Sequence, residues 1–321
     1  MPGRLMTRAI PSTLLPSGFR RSGSRFGGKS RRRNETLSRR SVGLPMQVCL
    51  AAGLALAAPA RAQSLPDLVT PDALRVCADP GNMPFSERQG DGFENRIAAI
   101  LADELKVKLR SYWLTQGPGF VRNTLGTGLC DVIVGSAFGS ELVQHTNPYY
   151  RSAYVLVSRK GTLDGVTGLD DPRLKGRAIG VIVGTPPVDR MGAVGLVPTM
   201  KPYPPYQFDP ARKHQTVSAE IVADVASGKL DAAVLWGPAA GWLARQSGTA
   251  MEVVPLLHEP DRPPLAYRIA MGVRHGENEW KRVLNTALRK RRAEIEAVLR
   301  DYAVPLLDEE ENRLLPADAK P

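Results

Sequence analysis

Acidic residues are almost missing from the first 62 positions of this 321-residue chain: Glu35 stands alone there against 12 Lys and Arg. From Gln63 onward 31 basic residues face 31 acids, so the net charge of +11 belongs to the N-terminal segment. A basic nucleic-acid-binding domain is disfavoured, because its footprint would have to lie in the folded part. Histidine is scarce: His145, His214, His258 and His275 have no metal-ligand spacing and none pairs with a cysteine, so no metal site is read. G-x-S-x-G is absent; Gly135-Ser136-Ala137-Phe138-Gly139 has its serine one place early. Gly126-Thr127-Gly128 precedes a strand instead of following one, which fails the dinucleotide context. Catalysis therefore finds little support, and the chain reads as a non-enzyme with no cofactor of its own.

What is present begins with an export signal. Arg39-Arg40 precede an apolar stretch from Val42 to Ala58, and Ala60-Arg61-Ala62 fits the A-x-A pattern of signal peptidase, predicting Gln63 as the mature N-terminus. Ser38 to Leu44 loosely resembles a twin-arginine signal. A membrane anchor is the rival, but Pro45, Gln47 and Pro59 interrupt the stretch short of about 18 apolar residues. The expected location is the periplasm, with no membrane insertion after cleavage. Gly23 to Ser30 matches the P-loop pattern, but basic, Ser-rich sequence flanks it where a strand and a helix are required, so coincidence is the reading. Of the three cysteines, Cys49 lies in the signal. Cys77 and Cys130 remain, as a disulfide in an oxidising compartment or as two buried thiols in adjacent strands.

The full chain is 43% hydrophobic and 23% charged, an ordinary globular composition. Leu74–Ala78 reads as a strand and Gly92 onward as an amphipathic helix, with Phe93, Ile97, Leu101 and Leu105 at helical spacing. Val107–Trp113 is a strand, Phe120–Leu125 a helix, and Asp131–Gly135 a strand; this β-α-β-α-β order implies a parallel sheet. Tyr150–Arg159 runs extended into Lys160-Gly161, an inter-lobe link. A second unit follows: strand Ala178–Val183, a helix opened by Gly184-Thr185-Pro186-Pro187, loop Lys201–Pro210, helix Ile221–Ala226 and strand Asp231–Leu235. Tyr267–Val273 crosses back, and Trp280 to Leu299 predicts one long helix. The expected fold is α/β and two-lobed, with a hinge and an interlobe cleft. Lobe 1 comprises 63–158 plus 272–321, and lobe 2 comprises 159–271.

Ligands in such sheets bind beyond the carboxyl ends of strands. The cleft is therefore expected at Asp79, Asn82, Ser136, Gly184, Thr185 and Trp236, with Phe85, Arg122, Asn123 and Tyr149 as further candidates. Several have a plainer role beside the functional one. Asp79 caps its own turn or binds ligand, capping being the stronger reading. Arg122-Asn123 contact an anion or orient a surface loop. Gly184-Thr185 offer N–H groups to an anion or form a simple N-cap. Trp236 stacks on a ligand or packs on the hinge. Arg289-Lys290-Arg291-Arg292 is read as a solvated face, with Glu294 and Glu296 nearby, ahead of a docking patch.

Gly92-Phe93-Glu94, Ile97, Leu101-Ala102 and Leu105 resemble the signature helix of periplasmic solute-binding proteins of the polar-amino-acid class (family 3), departing at Asn95 and Arg96. Asp131 to Gly135 and Asn147-Pro148-Tyr149-Tyr150 match in order. Leu74 to Pro80, Gly119 to Leu125, Cys130-Asp131-Val132, Pro148 to Ser152 and Trp236 to Gly241 resemble a narrower group. These are the MoxJ/XoxJ-type proteins associated with PQQ-dependent quinoprotein dehydrogenases of methanol oxidation. The resemblance implies a type II periplasmic binding fold. It also implies a non-catalytic accessory that binds a PQQ-dependent alcohol dehydrogenase and aids its maturation or activity, with a small-molecule ligand in the cleft as a second partner. Amino-acid binders of the wider class place an Arg about nine residues before Pro-Tyr-Tyr; here Gly139 occupies that neighbourhood and 136–148 contains no Arg. Their second-lobe Asp position falls here at Trp236-Gly237. A buried zwitterion without either partner keeps its desolvation cost, so the alternative is an ABC-importer binding protein for a solute other than a standard amino acid.

Overall fold

The computed structural model describes residues 69–205, 216–257, 264–311 and 313–316. The leader, its cleavage site, Cys49 and the P-loop-like string lie outside the described residues, as do His214 and His258. The chain opens with strand β1 (Ala73–Ala78), in which every residue but Arg75 is buried, as expected of a parallel strand covered on both faces. A short hairpin of β2 (Gly81–Asn82) and β3 (Ser86–Glu87) leads into helix α1 (Phe93–Leu105). Strand β4 (Lys108–Trp113), the single turn α2 (Phe120–Asn123), β5 (Val132–Ala137) and the two-residue β6 (Gln144–His145) complete this part. Strands β4 and β5 flank β1 in parallel, which is the arrangement the β-α-β-α-β order predicts. Phe93, Ile97 and Leu101 bury one face of α1 against Leu74, Val76, Val132 and Val134. Cys77 and Ile133 point to the opposite face with Phe120, Leu125 and Val143.

The next strand, β7 (Tyr150–Arg159), joins the two halves. Its first four residues pair antiparallel with β12 (Ala266–Val273), and from Tyr154 onward it pairs with β10 (Ala232–Trp236). The change of partner falls between Ala153 and Tyr154, inside the strand and ahead of the expected link at Lys160-Gly161. The second half contains β8 (Ile179–Ile182), α3 (Pro186–Ala193), β9 (Met200–Tyr203), α4 (Val217–Ala226), α5 (Gly237–Gln246) and β11 (Met251–Pro255). Its cores alternate along the strands: Leu156, Val181 and Val234 on one side, Val155, Val157 and Leu235 on the other. The full order is β4-β1-β5-β12-β7-β10-β8-β9, with β11 also on β7.

Two expectations need correction. The loop assigned to Lys201–Pro210 begins as strand, because β9 pairs in parallel with β8 from Met200 to Tyr203; the stretch 206–210 is outside the described residues. The single C-terminal helix is two, α6 (Asn278–Lys290) and α7 (Arg292–Asp301). Arg291 leaves helical geometry, yet its N–H still donates to Ala287 O and its carbonyl accepts from Ile295 N–H, so the ladder is kinked and not severed. Arg291 also reaches Asp103 and Glu104 on α1, and Lys290 reaches Glu104, so half of the basic run braces α6 against α1. The chain then returns to β7: Leu307 N–H donates to Arg151 O, and Ser152 Oγ donates to Pro305 O. A Cβ on Gly241 of α5 would lie 2.1 Å from Ala303 O, so this close passage requires glycine.

Cys77 and Cys130 form a disulfide, with Cα atoms 5.4 Å apart. Beside it lies a buried ionic cluster. Arg75 holds Asp131 in a two-pronged pair at 2.6 and 2.7 Å, and Arg274 reaches Asp131 at 2.8 Å and Cys130 O at 2.6 Å. Glu277 in turn pairs with Arg274 at 2.6 Å. The cluster fixes the segment that carries Cys130 to the start of β5. With a sequence separation of 53, replacing both cysteines by serine is expected to lower unfolding free energy by about 4 kcal/mol on the chain-entropy model. Urea titration of the oxidised protein and the double variant measures it.

Candidate functional site

A cavity of about 440 Å³ opens where β7, β10 and β12 meet the carboxyl ends of β1 and β5. That volume suits a small ligand. Its lining is mostly apolar and aromatic: Phe85, Tyr150, Tyr154, Trp236, Tyr267 and Ile269, with Gly135, Ala137 and Pro186. Asn82, Glu94 and Gln116 supply polarity. Strand periodicity sets several of these. Tyr150 and Tyr154 are two steps of two apart on β7, and Tyr267 and Ile269 one step apart on β12, so each pair faces one side. Tyr154, Trp236 and Tyr267 pack edge-to-face, with ring centroids 5.4 to 6.3 Å apart. Their contact sits on the crossing of the two halves.

The hairpin and α1 place the polar groups. Asp79 accepts from Gly81 N–H at 2.8 Å and Gln116 N–H at 2.6 Å, and Ser86 Oγ bonds the Asp79 backbone at both ends. Asn82 donates to Gln116 Oε1 at 3.0 Å. Pro84 O and Phe85 O accept from the N–H groups of Phe93 and Glu94, replacing a side-chain cap at the start of α1. Gly92 is needed there because a Cβ would lie 2.2 Å from Phe85 O. Glu94 consequently projects from the first turn of α1 toward β5, where a Cβ on Gly135 would come within 2.1 Å of its Oε1. Burial raises the Glu94 carboxyl to about 7, and the negative Asp79 adds to the rise. Tyr149 and Tyr150 are raised well above the usual phenol range, chiefly by burial.

The ten residues expected in the cleft divide sharply. Asn82, Phe85 and Trp236 line the cavity. Asp79 is buried and spends both carboxylate oxygens on backbone N–H groups. Tyr149 is not in the lining; its hydroxyl donates to Val134 O at 3.1 Å while its neighbour Tyr150 lines the wall. Ser136 sits between Gly135 and Ala137 and so faces away, 3.2 Å from His145 Nε2. Burial lowers the His145 pKa. Thr185 Oγ1 donates to Ile182 O at 2.6 Å, and Gly184 and Thr185 give way to Pro186 in the wall. Arg122 and Asn123 are exposed on α2, outside the lining. Sequence reasoning missed Glu94, Gln116, Tyr150, Tyr154 and Tyr267. Alternation along β7 and β12 held the signal for the tyrosines, and the first turn of α1 held it for Glu94.

Among the described residues no Lys, Arg or His lines the cavity, and Glu94 is its one carboxylate. No group of three or more His, Cys, Asp or Glu among them is placed to hold a metal ion. No helix among them is long and apolar enough to cross a membrane.

The topology and interlobe cavity define a two-lobed periplasmic binding protein fold. No family model matches the chain. Protein MoxJ of Methylorubrum extorquens is 32% identical over 289 residues, covering 82% of this chain and 93% of that protein. The crystal structure of periplasmic binding protein XoxJ from Methylobacterium extorquens AM1 is 62% identical with a TM-score of 0.64, covering 74% of this chain and 100% of that one. MxaJ from Methlophaga aminisulfidivorans MPT is 28% identical with a TM-score of 0.63, covering 73% and 100%. The chain belongs to the MoxJ/XoxJ family of solute-binding-like proteins.

The Glu94 shift has a defined sign. A carboxyl held near 7 in the folded state, above about 4.3 unfolded, binds extra protons on folding between those values. Its contribution is fully present below the unfolded value and is lost as pH rises through 7. Glu94→Gln is therefore expected to gain stability relative to the parent between about pH 5 and about pH 8.5, on the order of 1–3 kcal/mol. Thermal melts of both proteins at the two pH values measure this.

Proposed function

We infer that this chain is a periplasmic accessory protein of a PQQ-dependent methanol or alcohol dehydrogenase system, aiding maturation or activity by binding. The observation that carries the reading is 62% identity over the whole of the XoxJ chain, a protein of the group that the sequence resembles. The cavity adds support. Its described walls offer no cation to hold a ligand carboxylate, so retention of a free amino acid would leave a desolvated charge unpaired. PQQ in this reading belongs to the dehydrogenase.

Export across the inner membrane with cleavage before Gln63 completes the reading. The hinge is proposed at the partner exchange of β7, which would move the lobe limits from 158/159 and 271/272 to 153/154 and 265/266. A formed cavity of about 440 Å³ favours one second reading: capture of a small solute other than a standard amino acid for an ABC importer, with closure by hinge motion.

Deleting the gene separates the two. The accessory reading expects alcohol-dependent dye reduction by periplasmic extract to fall to a small fraction of the parent level, with recovery on complementation. Unchanged dehydrogenase activity together with loss of uptake of one solute contradicts it.

A further inference from the structure

We propose that the cavity binds a monovalent organic cation, a primary ammonium or a guanidinium, between the Glu94 carboxylate and the aromatic rings of Tyr154, Trp236 and Tyr267. The inference stands apart from the dehydrogenase reading, because it rests on the chemistry of the wall. Glu94 faces the cavity with no Lys, Arg or His among the described lining residues. Its place is built. Hairpin carbonyls fix the first turn of α1, and Gly135 leaves room for a carboxylate that any side chain at that position would displace. A carboxyl buried beside Asp79 is unfavourable when ionised, and a bound cation removes that penalty.

The rest of the wall suits the same ligand. Electron-rich ring faces attract an ammonium or guanidinium, and Trp and Tyr do so better than Phe. Asn82 spends an amide N–H on Gln116 and keeps its carbonyl oxygen as an acceptor for a ligand N–H. A divalent metal is a poor match, since one carboxylate supplies too few oxygen ligands. An anion or a zwitterion would bring its own carboxylate to a wall that offers Glu94 and no cation. The cationic head has two possible sources, a free small amine or the Lys or Arg side chain of a protein partner.

Isothermal titration calorimetry on the full chain, as purified from cells expressing it with its own leader, tests this with four probes. These are n-butylammonium, Nα-acetyl-lysine amide, 1-butanol and butyrate. At least one of the two cations should bind about tenfold or more tighter than 1-butanol and butyrate. Glu94→Gln should reduce that preference to about threefold or less. Preference for n-butylammonium identifies a free amine, and preference for the capped lysine identifies a protein side chain. Circular dichroism checks the folding of the variant; Gly135→Ala, which pushes the carboxylate aside, should produce the same loss. The proposal is overturned by neutral or anionic probes binding as well as the cations, by no heat with either cation, or by a preference unchanged in both variants. None of these results bears on association with a dehydrogenase, which is measured separately.

Discussion

Strand β7 carries the architecture because its backbone serves two sheets in succession. Residues Tyr150–Ala153 hydrogen-bond to β12, and residues from Tyr154 onward to β10 and β11. A strand buried on both faces must satisfy every N–H and C=O through neighbours, so the exchange has to happen without a gap. Tyr154 bridges it: its N–H donates to Leu265 O and its carbonyl accepts from Leu256 N–H. The aromatic cluster assembles at this same point, from one ring on each of β7, β10 and β12. Any bending between the two halves therefore bears directly on the cavity wall. The C-terminal segment adds a further tie, through Ser152, Arg151 and the close passage at Gly241.

The electrostatics of the molecule are divided in a similar way. Away from the cavity, buried charge is paired: Asp131 lies between Arg75 and Arg274, and Glu277 closes the group. Such a cluster costs desolvation but becomes far worse if one member is removed, so it fixes geometry more than it adds stability. Inside the cavity the opposite holds, with a single carboxylate among aromatic rings. A group placed at that cost in a mostly apolar wall, where Asn82 and Gln116 are the other polar residues described, points to binding, and its surroundings do not resemble a clamp for a zwitterion.

Much of the fold was legible because its signals are local and periodic. Strand β7 matched its expected limits, and β1, α1, β5, β8 and β12 lay within a few residues of theirs. What failed depended on packing. The kink at Arg291 has no Pro or Gly to announce it and coincides with ion pairs to a helix nearly 190 positions earlier. Helix α5 is absent from the expected elements because Gly237 and Pro238 follow the strand directly and punctuate the sequence, whereas Pro suits the first turn of a helix. In the site, counting residues beyond strand ends found Asn82 and Trp236 in the cavity wall, but it could not choose faces. Ser136 and Gly135 are neighbours in sequence and point to opposite sides of the sheet. Glu94 lies in the first turn of a recognisable signature helix, but the direction of its carboxyl into the cavity depends on the hairpin that receives the start of α1.

We infer that this binding-protein fold serves an oxidoreductase and not a permease. The most direct test is affinity purification of the tagged protein from periplasm of alcohol-grown cells, followed by mass spectrometry of the eluate. The account predicts a quinoprotein dehydrogenase enriched over an unrelated binding protein treated identically. Recovery of permease components or a bound solute, with no dehydrogenase, would contradict it.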